Sequence, residues 1–180
     1  SLPRLSEGYA AVPYVPIAVV GLGYREEQIG HALDGYGYLL PSSEGGDVLG
    51  VLWPTSIFPG MRAPEGRVLM RVMLGGARLA PGADVNQEAF ADRAIKQVTR
   101  DMRIDGPPDF VESVTHRTGL PQYRVRHLDR VARLRAAAGE SPGLYLVGNA
   151  LDGVGMNALT AASDRVASAV VDGLGETQLC

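Results

Sequence analysis

The sequence predicts a mixed α/β fold, in which an antiparallel sheet with a covering helix is followed by a strand, a glycine turn and a helix. Four apolar runs rich in β-branched and aromatic residues come first, between residues 14 and 80. A helical repeat of apolar residues begins near residue 90. A second apolar run then meets a Gly-x-Gly turn at residues 153–155, ahead of an Ala/Val-rich segment.

The sheet is predicted from four candidate strands, at residues 17–20, 36–40, 48–53 and 68–74. Turn residues separate them at 42–47 and 63–66. Because a parallel pair needs a crossover of about a dozen residues or more, these short connections predict antiparallel pairing.

The covering helix is predicted to start after Asp84, which forms a capping box with Gln87. One apolar face then recurs every four residues, and the run Gly106-Pro-Pro108 ends the helix. The predicted face consists of Phe90, Ala94, Val98 and Met102. Residues 110–114 are a further short strand candidate.

A second amphipathic helix is predicted over residues 127–138, with Leu128, Val131 and Leu134 on its apolar face. The five arginines between residues 124 and 135 are interpreted as a solvated face, because Asp129 lies among them and the chain is acidic overall.

The last predicted elements are a buried strand at residues 144–147, a glycine turn and a helix over residues 153–173. Gly153 and Gly155 allow backbone amides to approach a ligand, and the helix dipole favours an anion there. The same pattern also fits a tight turn before a core helix. The predicted buried stripe of this helix is Met156, Leu159, Ala162, Val166 and Val170.

The amino-acid composition argues against several classes of function for this chain. The chain has 180 residues, of which 46% are hydrophobic and 21% charged, which is typical of a globular protein. Its net charge of −3 gives no electrostatic case for nucleic acid. A single cysteine, Cys180, excludes a disulfide framework. His31, His116 and His127 lack metal-ligand spacing, so we expect no metal.

Membrane association is predicted to be peripheral at most. The longest apolar stretch, residues 10–23, is too short to cross a bilayer and contains Pro13 and Pro16. No secretory signal is visible in residues 1–10, which carry Arg4 and Glu7. We therefore expect a cytoplasmic chain, either soluble or peripheral at the cytoplasmic membrane.

Residues 143–167 resemble the C-terminal flavin-binding segment of the protoporphyrinogen oxidase and flavin amine oxidase families. The likeness lies in a strand that ends in Gly148-Asn149 and a turn that reads Gly153-Val-Gly-Met-Asn157. The resemblance implies FAD as the cofactor. It places Gly148, Val154, Gly155 and Met156 against the flavin, where a helix N-terminus stabilises the anionic reduced ring.

Other segments are similar to the protoporphyrinogen oxidases specifically, and they occur in the same order. The most specific are Gly35-Tyr-Gly-Tyr-Leu-Leu-Pro-Ser42 and Leu120-Pro-Gln-Tyr123. The remaining similar segments lie at residues 12–20, 49–52, 56–59, 62–66, 72–76 and 127–131. This resemblance covers nearly the whole chain.

The resemblance implies a division of the chain into two parts. Residues 1–140 would be a substrate-binding domain, with a return segment at 115–140. Residues 141–180 would supply the last strand and helix of a Rossmann-like FAD domain. The G-x-G-x-x-G fingerprint of that domain is absent, since Gly21-Leu-Gly23 continues as Tyr24-Arg25-Glu26-Glu27. We therefore expect a C-terminal portion whose N-terminal FAD half is missing.

The implied activity is the oxidation of protoporphyrinogen IX to protoporphyrin IX in haem biosynthesis, with dioxygen as acceptor. The flavin performs the chemistry, so no catalytic side chain is expected. Leu39, Leu52 and Met73 match the positions that flank the macrocycle in this family. His116 falls where many relatives carry tryptophan or another large residue near the flavin. For the anionic groups of the substrate, Arg62 and Arg71 remain alternatives.

Two alternative functions stay open. One is another flavin enzyme of the amine oxidase or carotenoid desaturase type, which shares the C-terminal turn. The other is a non-catalytic module that binds a tetrapyrrole or a partner chain. An isolated portion exposes apolar surface that the flavin half would cover, so we also expect self-association into a homo-oligomer.

Overall fold

The computed structural model describes residues 2–79 and 85–177, and the side chains of residues 3–79 and 85–174. Two compact units divide the chain. One spans Val15–Gly119, and the other combines the segments on either side of it. We call them the sheet unit and the helical unit. Their boundaries differ from the predicted division at residue 140, and the functional assignment of residues 1–140 and 141–180 stays a prediction.

The regular elements alternate along the chain. The strands are β1 (Tyr14–Arg25), β2 (Gly37–Leu39), β3 (Val48–Leu52), β4 (Arg67–Gly75) and β5 (Phe110–Pro121). The helices are α1 (Leu2–Ala10), α2 (Pro54–Ile57), α3 (Gln87–Met102), α4 (His127–Gly139), α5 (Asn149–Asp152) and α6 (Met156–Thr177). None of these described helices is long and apolar enough to cross a membrane.

The strands form one sheet in the order β2-β3-β4-β1-β5. The pairs β2/β3 and β3/β4, which are consecutive in the chain, are antiparallel as predicted. Strands β1 and β4 also pair antiparallel, although β2 and β3 lie between them in the sequence. The predicted mixed α/β fold with an antiparallel sheet is confirmed. Strand β5 is longer than the predicted residues 110–114.

Helix α3 covers one face of the sheet. Alternate residues of β1, from Ala18 to Tyr24, and of β4, from Val68 to Leu74, are almost fully buried. They form one core cluster with the four predicted residues of α3, each at most 2% exposed. The predicted face of the helix is confirmed, because period two in the strands and period 3.6 in the helix bury complementary surfaces.

Both predicted ends of α3 need correction. The N-cap is Asn86, whose side-chain oxygen accepts a hydrogen bond from the Glu88 amide at 3.0 Å. The predicted cap, Asp84, lies outside the described residues. The helix ends at Met102 rather than at the proline pair, because Arg103 adopts a left-handed conformation with φ 53°.

The helical unit has its own core, which includes Leu5, Val12, Leu134 and Leu151. Helix α1, which the sequence pattern did not predict, packs against α4. A Cβ at Gly8 of α1 would lie 2.5 Å from Leu134 Cδ2, so glycine permits this close approach.

The apolar face predicted for α4 is partly wrong. Val131 and Leu134 are buried, but Leu128 is 79% exposed and His127 is buried in its place. The buried positions are residues 127, 131, 134 and 138, a helical repeat that begins one residue earlier than predicted. The histidine is the polar first member of this stripe, so an apolar pattern does not reveal it.

Residues 144–147 are not a β-strand, contrary to the prediction. A strand needs a neighbour to satisfy its backbone groups, and no described segment pairs with these residues. The predicted last helix, at residues 153–173, begins later than predicted, at Met156, and a short helix that was not predicted, α5, precedes the turn. Of the predicted stripe, Ala162 is buried and residues 159, 166 and 170 are partly buried, but Met156 is 77% exposed.

Candidate functional sites

The sheet has a second face, opposite α3, which we call the open face. Cross-strand partners project to the same side of a sheet. The register pairs Leu39 with Gly50, Gly50 with Met73, and Leu52 with both Gly37 and Arg71. The open face therefore includes Val19, Gly21, Gly37, Leu39, Gly50, Leu52, Arg71 and Met73.

The three predicted wall residues share this face. Leu39 is 76% exposed, while Leu52 and Met73 are partly buried. They come from three different strands, β2, β3 and β4. Strand pairing brings together residues that lie up to 34 positions apart in the sequence, from Leu39 to Met73.

Glycines surround these apolar side chains. A Cβ at Gly50 would lie 2.8 Å from Leu39 Cδ2 and 2.8 Å from the Tyr38 carbonyl oxygen. A Cβ at Gly37, where φ is +141°, would lie 2.1 Å from the Val51 carbonyl oxygen. These positions cannot carry larger residues without a backbone shift. The glycines therefore leave space between the apolar side chains of the open face.

Three arginines near this face differ in their partners. The guanidinium of Arg62 lies 4.7 Å from the centre of the Phe58 ring. Arg67 forms an ion pair with Asp109. Arg71, on the open face beside Leu52, is exposed and makes no ion pair or hydrogen bond within the described parts of the chain.

A second candidate site is the glycine turn of the helical unit. Gly148 precedes α5 with φ 143°, and Gly153 follows it with φ 102°. Val154 and Met156 are 50% and 77% exposed, and no heavy atom lies within 4 Å of a Cβ built at Gly155. The amides in the first turn of α6 have no acceptor within the helix. This exposed backbone fits a flavin edge that carries carbonyl oxygens.

The turn is held by a carboxylate that sequence inspection did not single out. The Asp152 side chain is only 4% exposed. Its Oδ1 accepts hydrogen bonds from Arg135 Nη2 at 2.6 Å and Arg165 Nη2 at 3.4 Å. Its Oδ2 accepts one from the Gly148 amide at 3.1 Å. The sequence spacing of Asp152 and the two arginines does not predict these ion pairs, because Arg135 and Arg165 come from different helices.

Two tyrosines hold the neighbouring residue. Tyr14 Oη donates to Asn149 Oδ1 at 3.2 Å, and Tyr123 Oη donates to the Asn149 carbonyl oxygen. Burial, followed by the negative charges of ionised Tyr14 and Asp152, raises the pKa of Tyr123. The phenol therefore stays protonated and remains a donor. Tyr123 belongs to the Leu-Pro-Gln-Tyr motif, which was the only sequence signal for this role.

His116 remains a prediction as a flavin neighbour. It lies exposed on β5 of the sheet unit, whereas the glycine turn belongs to the helical unit. In the described ranges, no group of three or more His, Cys, Asp or Glu side chains could hold a metal ion.

Comparison with known proteins identifies the homologues of this chain. A scan against protein-family profiles gives no match. Protoporphyrinogen oxidase from Bos taurus is 29% identical over 93% of this chain, and the chloroplastic enzyme from Nicotiana tabacum is 32% identical over 87%. The chain is a homologue of the protoporphyrinogen oxidases. Coproporphyrinogen III oxidase from Bacillus subtilis is also similar, with 28% identity over 78% of the chain.

The chain spans about a third of these protoporphyrinogen oxidase homologues. The matches cover 36% of the bovine relative and 30% of the tobacco relative. Solved structures agree on the fold. A candidate protoporphyrinogen oxidase from Exiguobacterium sp. 255-15 superposes with a TM-score of 0.71 at 20% identity, over 93% of this chain and 37% of that one. Reduced UDP-galactopyranose mutase superposes with a TM-score of 0.64 at 12% identity, over 79% and 29%.

Proposed function

We propose that this chain supplies the substrate wall and the C-terminal flavin contacts of an FAD-dependent oxidase that converts protoporphyrinogen IX to protoporphyrin IX. The observation that carries the proposal is the open face. The three positions named by the resemblance, Leu39, Leu52 and Met73, share one face of the sheet with glycines between them. A planar macrocycle gains most from such a surface, because its whole face contacts apolar side chains.

The glycine turn supports the flavin part of the proposal. Gly148, Val154, Gly155 and Met156 would hold the ring edge through exposed backbone groups at the start of α6. When bound, FAD accepts the hydride from the substrate. The chain's own contribution is electrostatic, since a helix N-terminus favours the negative charge that reduction places on the ring. His116 is proposed as a further flavin neighbour.

Arg71 is our proposed anchor for a substrate carboxylate. Of the two arginines left open by the sequence, Arg62 stacks over Phe58, whereas Arg71 has no partner within the described residues. Its strand position places it directly opposite Leu52 on the open face. A guanidinium at the edge of an apolar surface forms a charge-assisted pair with a propionate.

Coproporphyrinogen III is a second candidate substrate. Similar proteins from Bacillus subtilis and Propionibacterium freudenreichii subsp. freudenreichii carry the name coproporphyrinogen III oxidase, at 28% identity each. That macrocycle has more carboxylates than protoporphyrinogen IX, and Arg71, which has no partner in the part of the chain that the structure describes, suits both. The two candidate substrates carry different numbers of carboxylates, so their binding should depend on Arg71 to different degrees.

The first experiment is a porphyrin titration with a matched pair of variants. Leu39 and Leu128 are both leucines with nearly equal exposure, 76% and 79%, but only Leu39 lies on the open face. We expect Leu39→Asp to weaken binding of protoporphyrin IX about tenfold or more, measured by porphyrin fluorescence. Leu128→Asp should leave it unchanged. Equal effects of the two variants would refute the substrate-wall assignment.

The second experiment addresses the flavin. The chain is titrated with FAD, alone and together with the part of the Bacillus subtilis relative that it does not match. We expect FAD to bind to the combination, with oxidation of protoporphyrinogen IX or coproporphyrinogen III as the activity readout. Absence of FAD binding in both samples would contradict the flavin proposal. Binding of porphyrin without flavin would support the non-catalytic module instead.

The proposed partners follow from the same surfaces. The substrate would contact the open face, and the missing N-terminal FAD half would complete the flavin site. Exposed apolar residues also support self-association and peripheral contact with a membrane surface. Light scattering that shows a monomer at every concentration would count against self-association, and vesicle flotation tests the membrane contact.

A further inference from the structure

We propose that Asp152 is a positioning residue that fixes the glycine turn in the conformation that receives the flavin. This inference rests on the proposed function of the turn. It is new in naming an acid–arginine clamp, made of Asp152, Arg135 and Arg165, that ties α4, α5 and α6 together. None of these residues would touch the flavin; they would act through the backbone of the turn.

The contacts of Asp152 make the clamp. Each carboxylate oxygen has a separate task. Oδ1 joins two helices through Arg135 at 2.6 Å and Arg165 at 3.4 Å, and Oδ2 receives the Gly148 amide at 3.1 Å. The bond to the Gly148 amide links the two ends of α5, because Gly148 directly precedes this helix and Asp152 is its last residue.

The turn needs such a device because its backbone is unusual. Gly148 and Gly153 have φ values of 143° and 102°, which favour glycine. Glycines lose more conformational freedom on folding than other residues do. Beyond the clamp, Val154 to Met156 have little packing of their own, as their exposure shows. The fixed carboxylate therefore supplies order that apolar contacts do not.

Charge explains why the clamp has two arginines. A lone buried carboxylate is costly, and one arginine would only neutralise it. The second arginine leaves a net charge of +1 beside the turn. Asp152 would otherwise add a negative charge close to a ring that becomes anionic on reduction. The pair lets the carboxylate hold the backbone and still leaves the local field positive.

Hydrogen exchange tests the clamp without any flavin. We expect Asp152→Asn to increase the exchange of amides 148–156 about tenfold or more, because an amide side chain cannot accept both arginines and the Gly148 amide. The control is Asp129→Asn, an exposed aspartate of α4 that pairs with Arg126 at 3.1 Å. It makes the same chemical change in the same unit, and exchange of the turn should not respond.

A milder variant covers the case in which Asp152→Asn unfolds the helical unit. Arg165 is 65% exposed and makes the longer contact, so Arg165→Gln should keep the fold. With FAD bound, we expect reduced flavin to lose about tenfold more affinity than oxidised flavin. For a two-electron couple this lowers the midpoint potential by about 30 mV. Arg165→Lys should restore the potential, since it keeps the charge.

The outcomes separate the inference from the proposed function. Unchanged exchange in Asp152→Asn, or an unchanged potential in Arg165→Gln with FAD bound, would overturn the clamp while the flavin site stands. Failure of the unaltered chain to bind FAD, alone or with the complementary part of the relative, would overturn both. Faster exchange together with a lowered potential that lysine restores would establish the clamp.

Discussion

The two faces of the sheet use the same strands and differ in almost every other respect. On the covered face, large side chains from β1, β3 and β4 interlock with α3, and Tyr24, Met70 and Phe90 are fully buried. On the open face, glycines take several of the corresponding positions and Leu39 is largely exposed. The comparison indicates that one face stabilises the fold, and it agrees with the proposal that the other binds the substrate.

The largest expected effect is on the covered face. Phe90→Ala removes a fully buried ring and should lower the free energy of unfolding by about 3–5 kcal/mol. Urea denaturation followed by circular dichroism measures it. The matched change on the open face is Met73→Ala, for which we expect less than about 1.5 kcal/mol, because Met73 is only partly buried. Equal losses would abolish the distinction between the faces.

A pair of glycine variants sharpens the comparison within the open face. Gly37→Ala places a Cβ 2.1 Å from a backbone oxygen at a φ of +141°, and should cost about 1–3 kcal/mol. Gly21 lies on the same face, yet its Cβ would be 3.5 Å from the nearest atom, Phe110 Cε1. Gly21→Ala should therefore change stability by less than about 1 kcal/mol, with a gain expected from the unfolded chain. Thermal unfolding of both variants shows which glycine is required by the backbone and which position can accept a side chain without loss of stability.

Alkaline pH should lower the free energy of unfolding through a tyrosine on the face of the sheet that packs against α3. Burial, then the hydrogen bond from Tyr38 Oη to Asp101 at 2.9 Å, raise the pKa of Tyr38 well above its usual range. The folded state therefore holds this proton more tightly than the unfolded state does. The resulting stability is present below about pH 10 and is lost as the pH rises above it.

Tyr38→Phe tests this pH dependence. The variant should lose about 1–2 kcal/mol near neutral pH and should show a flatter stability profile above pH 10. Tyr36→Phe is the control, since Tyr36 is 75% exposed.

At acidic pH the dependence of stability on pH has the opposite sign. Burial opposes the shift, but hydrogen bonds from Gln97, Arg100 and Tyr38 lower the pKa of Asp101 overall, so its contribution disappears as the pH falls through that lowered value.

The smallest expected effect concerns the open face alone. Met73→Phe should change stability by less than about 1 kcal/mol and bind protoporphyrin IX at least as well, because an aromatic ring stacks on a planar macrocycle. The relevant measurement is the porphyrin dissociation constant, compared with that of Met73→Ala. Weaker binding by the phenylalanine variant than by the alanine variant would argue against stacking at this position.

Sequence patterns predicted the elements that carry their own periodicity. The four strands before residue 80 and the buried stripe of α3 follow from alternation and helical spacing, because each pattern records which side of an element is buried. The patterns failed where one of the buried positions of a helix is occupied by a polar residue. His127 begins the buried stripe of α4, whereas the apolar spacing favoured Leu128.

Some features depend on partners that a local pattern does not specify. Residues 144–147 have the composition of a buried strand, but a strand forms only beside another strand, and none of the described segments provides one. The interruption between α5 and α6 has a similar origin. The last residue before that turn, Asp152, forms ion pairs with Arg135 and Arg165, which come from separate helices.

The sequence by itself determined the fold class, the strands of the sheet, the face of α3 and the glycine turn, because these depend on local spacing of residue types. The resemblance also named Leu39, Leu52 and Met73 one by one. Only the tertiary structure decided that they share a face with Arg71, and that Asp152 accepts hydrogen bonds from Arg135 and the Gly148 amide. Strand register and helix packing bring distant residues together, and neither is encoded in the spacing of neighbours.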